Sequence, residues 1–302
     1  MDINQPTDLR AIPAVEGMTF LLIGLCYALW AGALFLPAPL AVIALAPLIA
    51  LHSSLTHEAI HGHPFRSDAL NSMLMFPALS LCVPYLRFRD MHLAHHDDEH
   101  LTDPYDDPES NYLDPAVWGR LARPAQALLR LNNTLLGRLV LGPLIGQITW
   151  MAADMRAIAR GDRAVLVGWV AHLPALAFVL WLVALSPLPL PAYLLAAYLG
   201  LSLLKIRTFL EHRAHEAARA RTVIIEDRGP LAFLFLNNNL HVVHHMHPKV
   251  PWYRLPALYR ANRDHYLRRN DGYRYASYGE VFRRYFTRAK DPVPHPLWPG
   301  QD

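Results

Sequence analysis

The sequence predicts an all-α membrane protein with four transmembrane helices, arranged as two hairpins under a cytoplasmic helical cap that holds a metal site. Three observations lead there. Residues 17–56 and 164–204 contain no Asp, Glu, Lys or Arg. Each run is far too long for one buried core helix and long enough for two crossings. Hydrophobic residues make up 53% of the 302 and charged residues only 18%, which excludes an ordinary soluble enzyme. Most of the seventeen histidines lie between and beyond the two apolar runs, in clusters.

Taken in order, residues 1–16 are polar, with one arginine and no lysine, and show no signal-peptide pattern. Pro37 and Pro39 interrupt the first apolar run, and Pro187, Pro189 and Pro191 the second. Proline lacks a donor N–H and ends helices, so each run reads as two helices with a tight turn between them. At a 1.5 Å rise, about 20 residues span the apolar layer of about 30 Å. The expected crossings are 17–37, 39–59, 164–186 and 191–211. Residues 61–163 and 212–302 form the cap of one domain covering 1–302. Two further apolar stretches are expected to be interfacial or re-entrant rather than spanning. Residues 69–86 are broken by Pro77 and Pro84, and residues 139–153 are short for a span.

Orientation follows from the cations. Of 28 Lys and Arg, one precedes the first run, ten lie in 61–163 and seventeen in 205–302. The histidine-rich segments and both termini are therefore expected in the cytoplasm. Residues 253–269 and 273–288 mix aromatics with arginine. That pattern suits helices on an anionic leaflet; a solvated basic cap and a surface for an acidic partner are the other readings, one as good as the other. Nucleic acid is not an expected partner. Cys26 and Cys82 are far apart and form no CxxC, which argues against a disulfide framework, a rubredoxin-type iron site and a zinc ribbon.

The histidines form three boxes. His57 and His61 have HxxxH spacing; His92, His95 and His96 have HxxHH spacing, and so do His241, His244 and His245. On a helix, positions i, i+3 and i+4 share a face, so each HxxHH is expected to present three ring nitrogens to one centre. Eight imidazoles exceed the three or four ligands that one zinc takes and suffice for two metals. Imidazole without thiolate suits iron among the redox metals. Carboxylates beside the boxes, Glu58, Asp90, Asp97, Asp98 and Glu211, are candidates to accept the other N–H of a ligating ring. Asn237 to Asn239 either orient the third box or cap a helix. Elsewhere, His63 could replace His61, although Gly62 and Pro64 suggest that the helix has ended. His52 and His172 lie inside crossings and should each bond another helix.

The order HxxxH, HxxHH, HxxHH, with the first box ending the second crossing and the third following the fourth, resembles the integral-membrane fatty-acid desaturase and hydroxylase family. The resemblance covers about residues 50–250. The Leu-Thr-Asp-Pro-Tyr-Asp-Asp-Pro-Glu109 run after the second box and the His-His-Met-His-Pro248 ending of the third carry it too. It implies a di-iron centre, two Fe, that activates O2 with two external electrons and removes hydrogen from an unactivated C–H bond. Desaturation of an acyl chain or similar lipid is the implied reaction, with alkyl hydroxylation or carotenoid ketolation as alternatives. Family members often use a further histidine near the end of the last crossing. His212 matches that position, and His215 could share its face. The implied donor is a separate ferredoxin, rubredoxin or cytochrome b5 type of protein. This sequence carries no His-Pro-Gly-Gly haem signature and no GxGxxG fingerprint.

Two rival classes use the same residues. His57-Glu-Ala-Ile-His61 is also HExxH, in which Glu58 would be the general base of a zinc protease. That reading leaves both HxxHH boxes idle. A metal carrier would place its ligands along a path at mid-membrane, whereas these boxes gather beyond the helix ends.

Overall fold

The computed structural model describes residues 15–96 and 99–298. The first apolar run forms α1 (Gly17–Ala33) and α2 (Ala38–Ile60), with Pro37 at the N-cap of α2 and a short turn between them. The second forms α8 (Arg163–Leu185) and α9 (Leu190–Thr208), with Pro189 at the N-cap of α9. The prolines thus end helices where expected, while Pro47 and Pro174 are carried inside α2 and α8.

Between the runs lie α3 (Asp68–Met75), α4 (Tyr85–His95), α5 (Pro115–Arg120), α6 (Arg123–Asn132) and α7 (Leu135–Ala159). After α9 come α10 (Pro230–Leu234), α11 (His241–Met246), α12 (Leu255–Ala261), α13 (Arg263–Arg269) and α14 (Tyr278–Tyr285). The all-α expectation holds apart from β1 (Ile224–Ile225) and β2 (Arg274–Tyr275), two residues each and parallel.

Among the described residues, four helices are long and apolar enough to cross a membrane: α2, α7, α8 and α9. This set differs from the expected one. α1 is shorter, at 17 residues, and the stretch read as 139–153 and short for a span is the middle of a 25-residue helix. The apolar run looked short because charges bound it. Arg138 is buried, with its guanidinium donating to Asn132 O and to Asn111 Oδ1. Asp154 is buried and accepts from Arg87 at 2.9 Å and from Trp169 Nε1 at 2.8 Å.

α2 and α9 make the closest helix pair. The glycine at 200 lies against Ala46 O and the Ile49 side chain, and a Cβ there would meet that oxygen at 2.9 Å. The first half of α2 (Ala41, Leu45, Ile49) packs on the first half of α9 (Tyr193, Ala196, Ala197). The two helices therefore run the same way, and their C-terminal ends emerge together.

Residues 69–86 do not form one helix. α3 stops before Pro77, and α4 starts after Pro84. Carbonyls of the intervening loop and of the last turn of α3 take side-chain donors from four helices. Tyr27 OH donates to Leu74 O at 2.8 Å, Tyr193 OH to Leu79 O at 2.8 Å and Gln147 Nε2 to Cys82 O at 2.6 Å. His172 Nε2 bonds Leu81 O at 2.8 Å. Non-helical backbone among apolar helices needs such partners, because no water is there to supply them. His52 bonds another helix, as expected, through Tyr27 OH of α1 at 3.1 Å, whereas the partner of His172 belongs to the loop between α3 and α4 rather than to a helix.

Candidate metal centre

The C-terminal ends of α2, α4 and α9 and the short α11 deliver all nine candidate histidines to one place. His57 is in the last turn of α2 and His61 caps it. His92 and His95 end α4, with His96 as its cap. His212 lies four residues beyond α9, in a backbone bridge with Thr222. His241 opens α11, which carries His244 and His245.

The nine rings separate into two groups. His57, His61, His92, His96 and His244 form one; His95, His212, His241 and His245 form the other. In each group the candidate ligand atoms all lie within 4.8 Å of one another. Neither HxxHH box serves one centre, contrary to the expectation that all three of its rings would. The i, i+4 pair of the second box joins the first group and His95 the second. The third box does the reverse, sending its i, i+4 pair to the second group and His244 to the first. At 100° per residue, positions i+3 and i+4 point about 100° apart, so two adjoining centres can divide them. The groups abut at His96 and His245, whose rings stack 4.3 Å apart.

The spacing fits metal. Ring Nε2 atoms approach at 3.0 Å (His61 and His92), 3.1 Å (His92 and His96) and 3.2 Å (His96 and His244). In the second group they approach at 2.9 Å (His95 and His212) and 3.1 Å (His212 and His241). Two nitrogens at right angles around one ion, each about 2.1 Å from it, lie about 3.0 Å apart. His57 Nε2 is buried and has no hydrogen-bond partner among the described residues. Such an atom costs stability unless something accepts its lone pair. Burial, reinforced by neighbouring rings, pushes His96, His212, His241 and His244 well below the ordinary histidine range. They are neutral, as ligands must be.

Outer partners hold three of the rings by their Nδ1 atoms; two of these partners were not among those expected, and the third, Asn238, was. His95 Nδ1 lies 2.7 Å from Asp107 Oδ1, and His92 Nδ1 lies 3.0 Å from Glu109 Oε1. Both carboxylates are in the acidic run after the second box, whose likeness to the family was legible but whose roles were not. His241 Nδ1 lies 3.0 Å from Asn238 Oδ1, and Asn238 Nδ2 donates to Glu211 Oε1 at 3.3 Å. Glu211 therefore acts through Asn238 and is paired with Arg207 at 2.9 Å. Asn238 orients the ring, and no side chain caps α11.

Glu58 accepts from Trp252 N at 3.1 Å, and its other oxygen is 3.9 Å from His57 Nδ1. It ties the cap to α2 rather than facing the ring nitrogens, which removes the feature that an HExxH protease needs. Asp90 is half-exposed and pairs with Arg89 at 2.8 Å, not with a histidine. Asp97 and Asp98 lie outside the described residues. His63 is turned away to Glu16, at 2.5 Å, and His215 to Asp271, at 3.4 Å. Burial would lower His95, but Glu109 and Asp107 outweigh it and raise the ring to about 9. The two carboxylates thus favour a positive charge at His95, while His212 and His241 of the same group are held neutral.

A sequence model of the family described as fatty acid desaturase matches residues 32–277, a span that contains all nine histidines. The chain belongs to the fatty acid desaturase family. Comparison with curated proteins gives no match. Membership places this desaturase-family protein in an oxidoreductase class. Its two histidine groups could hold metal, and the family uses iron.

Proposed function

We propose that this chain is an O2-dependent di-iron oxidoreductase that introduces a double bond into the acyl chain of a lipid-type substrate, using electrons from a separate carrier protein. The observation that carries the reading is the pair of abutting all-imidazole groups, five rings and four. One zinc cannot use nine rings, and two ions of a redox metal can. In this reading His57, His61, His92, His96 and His244 hold one iron, and His95, His212, His241 and His245 the other. When bound, the iron pair supplies O2 activation and removal of hydrogen from an unactivated carbon. Asp107, Glu109 and Asn238 fix ring tautomers and orientations, so that each Nε2 lone pair faces inward.

The chain's own residues also define where the substrate lies. The rings sit at the ends of α2 and α9, so an acyl chain between the crossings would meet them at the membrane surface. We assign four crossings to α1, α2, α8 and α9, as two hairpins, with the histidines and both termini in the cytoplasm. α7 lies along that surface in this reading. Its first turn packs on the end of α9 through Leu135, Ile206, Phe209 and Leu210. Its last turns meet α4 and the start of α8 through Asp154. Both ends of α7 thus touch the histidine-bearing side.

Mass spectrometry of lipids from membranes expressing the chain tests the reaction. A new double bond supports the proposal; a hydroxyl or keto product would replace desaturation by another oxidation. Purified protein containing one zinc and no iron would remove the di-iron reading altogether.

A further inference from the structure

Residues 249–274 contain seven Lys and Arg against two acids, Asp264 and Asp271. They cover α12 and α13, for which the sequence left three readings: a helix on an anionic leaflet, a solvated basic cap or a surface for an acidic partner. The structure speaks against the first. The apolar sides of these helices (Leu255, Tyr259 and Tyr266) are buried with Ile224, Leu240, Val242, Val243 and Val250. No residue of α1, α2, α8 or α9 belongs to that cluster. Among the described residues, no large hydrophobic side chain between 241 and 285 is exposed. A helix lying on a leaflet inserts an exposed apolar face, and here that face is turned inward onto α11.

The outward face is cationic. Lys249, Arg260, Arg263, Arg268 and Arg274 are exposed. The nearby Glu226 is neutralised by Arg263 and Arg274, and Asp227 accepts from the backbone N–H groups of 229 and Tyr278. A cleft of about 330 Å3 lined by Arg228, Arg260 and Arg263 opens onto Asn237 and Leu240, beside His241 in the chain. Packed helices lie about 8–10 Å apart, so one layer separates this face from the helix of the third box. His247, two residues past His245, lies edge-on to Tyr266 with ring centres 6.1 Å apart, and Tyr266 is 6.1 Å from Tyr259.

We propose that the α12–α13 face, with Arg228 at its edge, is the docking surface for a small acidic one-electron carrier protein that reduces the metal centre. This rests on the di-iron reading above. Electron-transfer encounters bury little area, below about 1,200 Å2 in total, which two seven-residue helices and a cleft can supply. Opposite charge raises the encounter rate and makes it fall with salt. Each docking event oxidises one carrier by one electron, so two carriers serve each O2. With two protons, and the two hydrogens taken from the substrate, the O2 leaves as two waters.

The test compares iron-loaded wild-type protein with the triple variant Lys249→Glu, Arg260→Glu, Arg268→Glu, in nanodiscs of zwitterionic lipid. Reduction of the bound iron is followed by absorbance, driven either by a reduced acidic [2Fe–2S] ferredoxin or by dithionite with methyl viologen. At low ionic strength the variant should be reduced by ferredoxin at least tenfold more slowly, with its salt dependence flattened. Dithionite reduction and iron content should match wild type. Equal ferredoxin rates, or a wild-type protein that ferredoxin does not reduce, overturn the docking surface while leaving the di-iron reading intact. A defect that appears only in anionic nanodiscs assigns the face to lipid and also overturns it. No iron bound, or none reduced by dithionite, counts against the di-iron reading itself.

Discussion

Asp107 offers the sharpest probe of the second histidine group. It is buried, and its carboxylate serves three donors. Oδ1 lies 2.7 Å from His95 Nδ1 and accepts from Glu109 N at 2.9 Å, while Oδ2 accepts from Thr102 N at 2.8 Å. Asp107→Asn keeps the shape but leaves one acceptor oxygen for donors on both sides. Either Thr102 N–H or the His95 ring then faces an amide NH2. A buried donor left unpaired costs about 1–3 kcal/mol, tolerable for a chain of this size. The effect on metal is separate. Losing the outer carboxylate of a ligating imidazole lowers metal affinity about 10–100-fold, or about 1.4–2.8 kcal/mol at 1.4 per tenfold. His95 belongs to the four-ring group, so that group should lose its ion first. Under chelator challenge, iron should fall from about two to about one per chain faster in the variant than in wild type. Asp90→Asn, at the half-exposed pair with Arg89, is the control and should change nothing. Thermal unfolding of the metal-free proteins measures the packing cost independently. If Asp107→Asn keeps both irons with wild-type release kinetics, the assignment of His95 as a ligand steered by Asp107 is wrong.

Three further outcomes are expected. His212→Ala should abolish turnover and lower iron content, whereas His265→Ala, at a ring outside both groups, should do neither; near-normal iron in the His212 variant would leave eight ligands. Tyr193→Phe should destabilise the detergent-solubilised protein by about 1–2 kcal/mol, because Leu79 O loses its donor and Trp30 Nε1 its acceptor; an unchanged unfolding midpoint would show that the 76–84 loop does not depend on this bond. Burial would raise Glu226, but Arg263, Tyr259 and Arg274 hold its carboxyl down to about 2, from an ordinary 4.5. A depressed carboxyl stabilises the fold above its unfolded value and loses that contribution as pH falls through its folded one. Wild-type stability should therefore drop between about pH 4.5 and 2 more steeply than that of Glu226→Gln, as unfolding of the cap followed by circular dichroism would show; parallel curves would contradict the pairing.

The sequence by itself determined the class, the turns that divide the two apolar runs and the ring inventory. Charge-free runs of this length can be buried only as apolar helices, and Pro37 and Pro189 start new ones because proline cannot continue the helix before it. The boxes were legible because four-residue spacing repeats one helical face, as with His57 and His61 on α2. Tertiary structure decided how the rings are shared. Whether His95 groups with His92 depends on which rings α11 and the turn after α9 bring alongside, and no local period records that. Asp107 and Glu109 lie outside regular structure, where spacing carries no direction, so their roles appeared only with the chain folded; for Asn238 the fold decided between orienting the third box and capping a helix. The length of α7 was hidden for a related reason. Hydropathy treats Arg138 and Asp154 as ends of an apolar run, but Asn111 and Asn132 from the segment before α7, and Arg87 and Trp169 from α4 and α8, satisfy both charges inside the protein, and the helix continues through them.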